Sequence, residues 1–279
     1  MSYGNSRLPV IVLCATNDLQ ASWQERRGDY PAMDIVPMAP ASQAWRLLQE
    51  IVGRYDSPVI VCQEHVWFGA EFAAEVRRLS EDLDRNFQTW GACGNRGCVW
   101  EGETFYDYTS YTRNQGAGIG AALAPRPVLT LDDNLMLLNC RTLRNCQLAD
   151  LGDMKSSIFG LPLSLECLRH RLPLFVDARL FTVRTSQHAA AEIAALAEST
   201  EFRNYYREHF LNHVVPWPDA NVNTEACVDF DYAAQPARCP LQRDFLELFE
   251  LSLTAVRPRR TSVALGWGTQ FGRPEVLWG

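Results

Sequence analysis

Lysine is almost missing from this sequence: Lys155 is the only one, so nearly every positive charge is an arginine. A single Arg is therefore no mark of a phosphate site here, because Arg is the default cation. Long apolar runs are missing too. None approaches the ~18 uninterrupted residues that a membrane helix needs. The opening Met1-Ser2-Tyr3-Gly4-Asn5-Ser6-Arg7 lacks the apolar core of a signal peptide. A cytoplasmic protein without a membrane span is expected. The formal net charge of −7 argues against nucleic acid held on a broad basic surface. The nine cysteines contain no C-x-x-C pair; the closest are Cys93 with Cys98 and Cys140 with Cys146. Zinc sites want tighter paired spacing, and buried thiols in a reducing compartment are the simpler account.

Several catalytic signatures are absent as well. There is no Gly-x-Ser-x-Gly elbow and no Walker lysine loop, so hydrolase and P-loop readings lack support. Gly116-Ala117-Gly118-Ile119-Gly120 imitates a phosphate loop, but it follows Tyr111-Thr112-Arg113-Asn114-Gln115 rather than an apolar strand, and reads as a flexible loop. His209 and His213 stand at i and i+4, yet Phe210 occupies the place where a metalloprotease motif needs Glu. They read as helix-face histidines.

What is there is an α/β pattern in a chain long enough to bury a full core. Residues 8–14 are a continuous apolar, β-branched run, as expected for a central strand covered on both faces. A second strand is expected at 33–37. Ala44, Leu47, Leu48, Ile51 and Val52 have helical spacing, with Ser42 as expected N-cap and Gly53 as stop. Strand 58–62 follows, then a helix carrying Phe72, Val76, Leu79 and Leu83, then a strand at 89–93. From Gly94 to Arg126 the periodic signal gives way to Gly, Asn, Tyr and Thr, and an irregular, functional stretch is expected. Short strands at 127–131 and 134–138 flank Asp132-Asp133. A helix opening at Gly160 and Pro162, strands at 172–176 and 180–183, and helices at 189–198 and 201–213 complete the pattern. The fold class is α/β: a Rossmann-like, mostly parallel sheet flanked by helices. Residues 1–213 are expected to form the domain, with 214–279 as an irregular C-terminal extension packed on it.

Ligands of open α/β sheets bind outside the carboxyl ends of the strands. Glu64 and His65 follow one strand and Asp132 and Asp133 another, and this set can hold a divalent ion, Mn or Mg, that clamps a diphosphate. Ordinary polar strand caps are the alternative.

At Pro58-Val59-Ile60-Val61-Cys62-Gln63-Glu64-His65-Val66-Trp67-Phe68 the sequence resembles bacterial glycosyltransferase-2-like proteins of GT-A fold, related to the streptomycin-biosynthesis StrF type. Thr89 through Gly97, Leu131-Asp132-Asp133-Asn134-Leu135-Met136-Leu137 and Gly160 through Val176 match later parts of that family in order, and the likeness spans roughly residues 8 to 210. It implies sugar transfer from a nucleotide sugar to a glycan or small-molecule acceptor. Departures are clear. His65 stands where the family has an acidic residue, Pro162 where relatives carry the catalytic Asp, and Arg184 near where they supply a His ligand. The resemblance thus implies either a transferase in which His65 and Arg184 replace the metal, with Glu64, Asp133 or Glu166 as acceptor base, or a fold kept for binding or scaffolding with the chemistry lost. A nucleotidyltransferase ranks third, because Ala15-Thr16-Asn17-Asp18-Leu19-Gln20 lacks the Gly-rich basic loop. Under the transferase reading, Ala15, Thr16, Asn17 and Asp34 line the nucleotide pocket, and Phe105, Tyr106, Tyr108 and Tyr111, with Asp107 and Asn114, form the acceptor side.

Overall fold

A computed structural model describes residues 7–87, 89–101, 104–109, 125–152, 154–180, 183–184, 190–210, 215–217 and 220–222. In chain order the strands are β1 (Leu8–Leu13), β2 (Met33–Met38), β3 (Val59–Gln63), β4 (Val66–Trp67), β5 (Ala92–Gly94), β6 (Arg96–Glu101), β7 (Thr104–Thr109), β8 (Arg126–Val128), β9 (Thr130–Leu131), β10 (Leu135–Leu138), β11 (Leu174–Val176), β12 (Val183–Arg184), β13 (Val215–Trp217) and β14 (Ala220–Val222). The helices are α1 (Asn17–Glu25), α2 (Ala44–Arg54), α3 (Phe72–Asn86), α4 (Cys140–Asn145), α5 (Gly160–Arg169), α6 (Ala190–Glu198) and α7 (Thr200–Phe210).

A seven-stranded sheet in the order β2-β1-β3-β10-β5-β11-β8 forms the centre. Strands β2, β1, β3, β5 and β11 share one direction, while β10 and β8 run against them. The sheet is therefore mostly parallel but mixed, flanked by helices in an α/β architecture that is compatible with a Rossmann-like fold. Its two prolines outside β1 sit where a missing N–H is tolerated: Pro37 in edge strand β2 and Pro127 in edge strand β8. Strand β1 sends Ile11 and Leu13 to one face and Val10 and Val12 to the other, the alternation of a pleated strand. On the first face α2, α4, α5 and α7 cover Val61, Met136 and Leu174; on the second, α1 and α3 cover Ile60, Leu137 and Phe175. Helix α3 buries Phe72, Val76, Leu79 and Leu83, the stripe expected from their spacing.

Some details differ from the sequence reading. The N-cap of α2 is Gln43, which makes no side-chain cap bond, rather than Ser42, and the helix runs past Gly53 to Arg54. The stretch from Gly94 holds the hairpin β6–β7 joined to β9, so its first part is regular sheet. Its glycines have packing causes: a Cβ on Gly97 would lie 2.5 Å from the Thr130 carbonyl oxygen. Residues 110–124, including Tyr111, Asn114 and the 116–120 glycine run, lie outside the described residues. So do His213 and most of 214–279. Within that last segment, Val215 and Trp217 are buried in the core beside Leu131, and the Trp217 indole donates to the Leu131 carbonyl at 2.8 Å. Helices α1 and α4 were not expected from periodicity.

Candidate functional site at the carboxyl edge of the sheet

Parallel strands β1, β3, β5 and β11 end at one edge, and the reversed β10 begins there, which brings Asp132, Asp133 and Asn134 to the same rim. The Gln63 N–H donates to the Asn134 carbonyl at 3.2 Å, which ties the two stretches together. Beyond β1, the Cys14 N–H donates to the Met38 carbonyl and the Cys14 carbonyl accepts from Ala41 N–H, both at 2.8 Å. The loop after β2 is thereby fixed beside the end of β1.

Glu64 is the connector on this rim. Its Oε2 accepts from the Ala15 N–H, its carbonyl accepts from the Trp23 indole at 3.1 Å, and its Oε1 lies 3.4 Å from His65 Nε2. The Glu64 side chain is 8% exposed and that of His65 39%, so the imidazole is the accessible member of the pair. Thr16 caps α1 by accepting from the Leu19 N–H at 3.3 Å, and Asn17 is the exposed first residue of that helix. Strand β12 pairs with β4 so that Arg184 stands opposite Val66, immediately after His65. Ala15, Thr16, Asn17, Glu64, His65 and the Arg184 backbone are thus brought to one region. Asp34 is not. It pairs with Pro9 near the start of β1, at the opposite edge of the sheet, so its nearness in sequence to a strand end does not bring it to this rim.

The remaining acids are held by structural bonds. Asp132 is fully buried, with its Oδ2 3.4 Å from Arg96 Nη1. Asp133 is also fully buried, and its Oδ1 accepts the N–H groups of Phe159 (2.6 Å) and Gly160. Since Phe159 is the N-cap of α5 and its side chain makes no cap bond, Asp133 supplies the missing acceptor from across the fold. Glu166 lies six residues further along α5, about 9 Å from that end at helical rise. Its carboxylate accepts from Arg169 Nε (2.8 Å) and Nη2 (2.9 Å), Ala149 N–H (2.8 Å) and the Tyr205 hydroxyl (2.5 Å). Burial on its own raises its pKa, but the Arg169, Tyr205 and Ala149 hydrogen bonds outweigh burial and bring it below its ordinary value.

Among the described residues no three His, Cys, Asp or Glu side chains converge as a metal site. Glu64 and His65 stand at the rim, while Asp132 is committed to Arg96 and Asp133 to two backbone amides. This donor set does not fit a divalent ion held jointly by the four. Cys14, Cys62, Cys93, Cys98, Cys140 and Cys167 are buried free thiols, and Cys146 is partly buried.

Three rim residues carry no sequence motif. The Arg26 guanidinium carbon lies 4.4 Å from the Trp23 ring centre and 3.9 Å from that of Trp67, a cation between two indoles. Trp67 is nonetheless 50% exposed. The i, i+3 spacing of Trp23 and Arg26 was the available signal, and it lay across the end of α1, the helix without a clear period, where Arg26 is the C-cap.

No protein-family model and no curated protein sequence matches this chain.

Proposed function

We propose that this chain is a cytoplasmic glycosyltransferase of the GT-A type that takes its sugar from a nucleotide-sugar donor and uses His65 and Arg184 in place of a metal. The observation that carries the reading is the ladder between β12 and β4, with Arg184 opposite Val66 and next to the accessible His65. In glycosyl transfer, negative charge builds on the departing diphosphate, and preorganised cations stabilise that charge without reorganising. A donor lying across the ends of β1 and β3 meets Ala15, Thr16 and Asn17 on one side and His65 on the other. Glu64, which accepts from the Ala15 N–H and lies 3.4 Å from His65 Nε2, is the rim carboxylate that remains for the acceptor proton, because Asp133 and Glu166 accept structural hydrogen bonds.

A second reading has its own support. Asp132, Asp133 and Glu166 are all engaged in holding the fold, and Pro162 stands in the first turn of α5 where the resemblance expects a catalytic Asp. That pattern suits a protein that binds a nucleotide sugar without turning it over. Thermal stabilisation by a panel of nucleoside diphosphates and nucleotide sugars, with and without Mn²⁺, followed by donor hydrolysis, separates the readings. Saturation at a hundred times Kd adds about 2.7 kcal/mol. Binding with slow hydrolysis and no need for Mn²⁺ supports the transferase, and binding without turnover supports the second reading. No stabilisation by any compound sinks both.

A further inference from the structure

We propose that the cleft between the start of α2 and the residues Asp150, Gly152, Met154 and Ser156 is a binding site for one neutral pyranose ring. The cleft encloses about 250 Å³. Pockets for drug-sized ligands run from about 300 to 1,000 Å³, so this one takes a single ring and not a whole nucleotide. It adjoins the rim described above, since Ala41, whose N–H is bonded to the Cys14 carbonyl, directly precedes Ser42.

The walls are fixed. Gln43 and Ser156 form a parallel backbone bridge across the cleft. The Trp45 indole and the Gln49 amide both donate to the Ala149 carbonyl, at 3.1 and 3.0 Å. Trp45 and Met154, 2% and 4% exposed, close the bottom of the cleft as an apolar floor. Above that floor the lining is polar. Ser42 and Gln43 make no side-chain hydrogen bond to another described residue, so a hydroxyl, an amide donor and an amide acceptor stay available. Asp150 uses Oδ1 to accept from Gly152 N–H at 2.9 Å, which leaves its second oxygen to accept from vicinal hydroxyls.

Charge and shape select the ligand class. Arg46, itself paired with Glu50 at 3.3 Å, and Asp150 both line the cleft, so its charges balance and a neutral ligand fits it better than an ion. The Trp45 indole is almost wholly covered, so no ligand ring stacks on it and recognition falls to the polar groups at the edge of the cleft. Amide, hydroxyl and carboxylate groups around an apolar floor match a ring that carries hydroxyls on its edge. This inference stands on the lining alone and does not need the transfer chemistry.

Saturation-transfer NMR on the full chain, with glucose, galactose, mannose and N-acetylglucosamine beside uridine and guanosine, tests it. At least one pyranose should receive saturation. Its affinity should fall about three- to tenfold in Gln43→Ala, the worth of one hydrogen bond, and vanish in Ser42→Trp, whose indole fills the mouth. Ser42 is exposed and Gln43 half-buried, so unchanged unfolding midpoints are expected; Asp150→Asn replaces Ser42→Trp if that variant misfolds. No pyranose signal, a signal indifferent to Gln43→Ala and to the second variant, or preferential binding of the nucleosides overturns the proposal. Nucleotide sugars binding the wild type and Gln43→Ala equally, with no pyranose signal, defeat this inference and leave the transferase reading intact.

Discussion

The Tyr205 hydroxyl lies 2.5 Å from Glu166 Oε1, a contact that ties α7 to α5 through a carboxylate with no exposed surface. Arg169 and the Ala149 N–H complete the shell, so Glu166 anchors three segments. Because its folded pKa lies below its ordinary value of 4.5, its stabilisation is complete above that value and is lost as pH falls through the folded pKa. Glu166→Gln should cost about 1.5–3 kcal/mol at neutral pH and flatten the acid limb of the stability curve. Urea unfolding at pH 7 and at pH 4 measures both effects. Nucleotide-sugar hydrolysis per folded molecule should survive, which distinguishes an anchor from a base.

Asp133 and Gly160 make a second testable pair. A Cβ on residue 160 would sit 2.7 Å from the Leu131 carbonyl oxygen and 2.8 Å from Asp133 Oδ1, so only glycine lets the carboxylate reach the helix end. Asp133→Ala removes the acceptor of two backbone amides and should destabilise by about 2 kcal/mol, the upper range for a lost cap. Gly160→Ala crowds the same spot and should cost about 1–3 kcal/mol. Combined, the two changes should cost less than their sum, because both break one contact. Denaturant midpoints of the four proteins give the cycle.

Much of the fold was legible because burial on both faces leaves a plain mark: residues 8–13 and 59–62 are apolar without interruption, and α2 and α3 carry full apolar stripes. Helix α1 was not, because it buries only Trp23 and leaves Leu19 exposed, so it carries no apolar stripe. The hairpin β6–β7 hid behind Gly94 and Gly97, which read as loop residues but serve close packing against Leu131 and Thr130. Strand direction is also silent in composition: nothing in Leu135–Leu138 says that it runs against β3. At the site, strand ends pointed to Ala15 and Glu64, whereas the capping task of Asp133 depends on a helix that begins 27 residues later. An acidic pair looks the same in sequence whether it meets a metal or a helix terminus.

The thiols offer a third check. Burial, helped by the charge of Glu64, pushes the Cys14 pKa up to about 12, and burial raises Cys62, Cys93 and Cys167 as well. Thiolate is the reactive form, so these four should resist iodoacetamide at pH 8 in the native state and react once the protein is unfolded in guanidinium. Peptide mass mapping reads each position separately. Labelling of native Cys14 would mean that the end of β1 opens to solvent.

The pairing of Arg184 with Val66 makes the sharpest functional prediction. If His65 and Arg184 carry the diphosphate charge, each substitution to Gln should weaken nucleoside-diphosphate binding by about tenfold, roughly 1.4 kcal/mol, and should lower the salt dependence of that binding. Hydrolysis of the donor should fall further than binding does, because charge on the leaving diphosphate grows toward the transition state. Mn²⁺ should restore neither loss, since the described acids do not converge on an ion. Calorimetric titration of a nucleoside diphosphate at two salt concentrations, with single-turnover hydrolysis of the matching donor, measures all of these. Equal binding in wild type and both variants would move the diphosphate away from this ladder. Binding lost with no turnover even in the wild type would leave a nucleotide-sugar receptor built on the same rim.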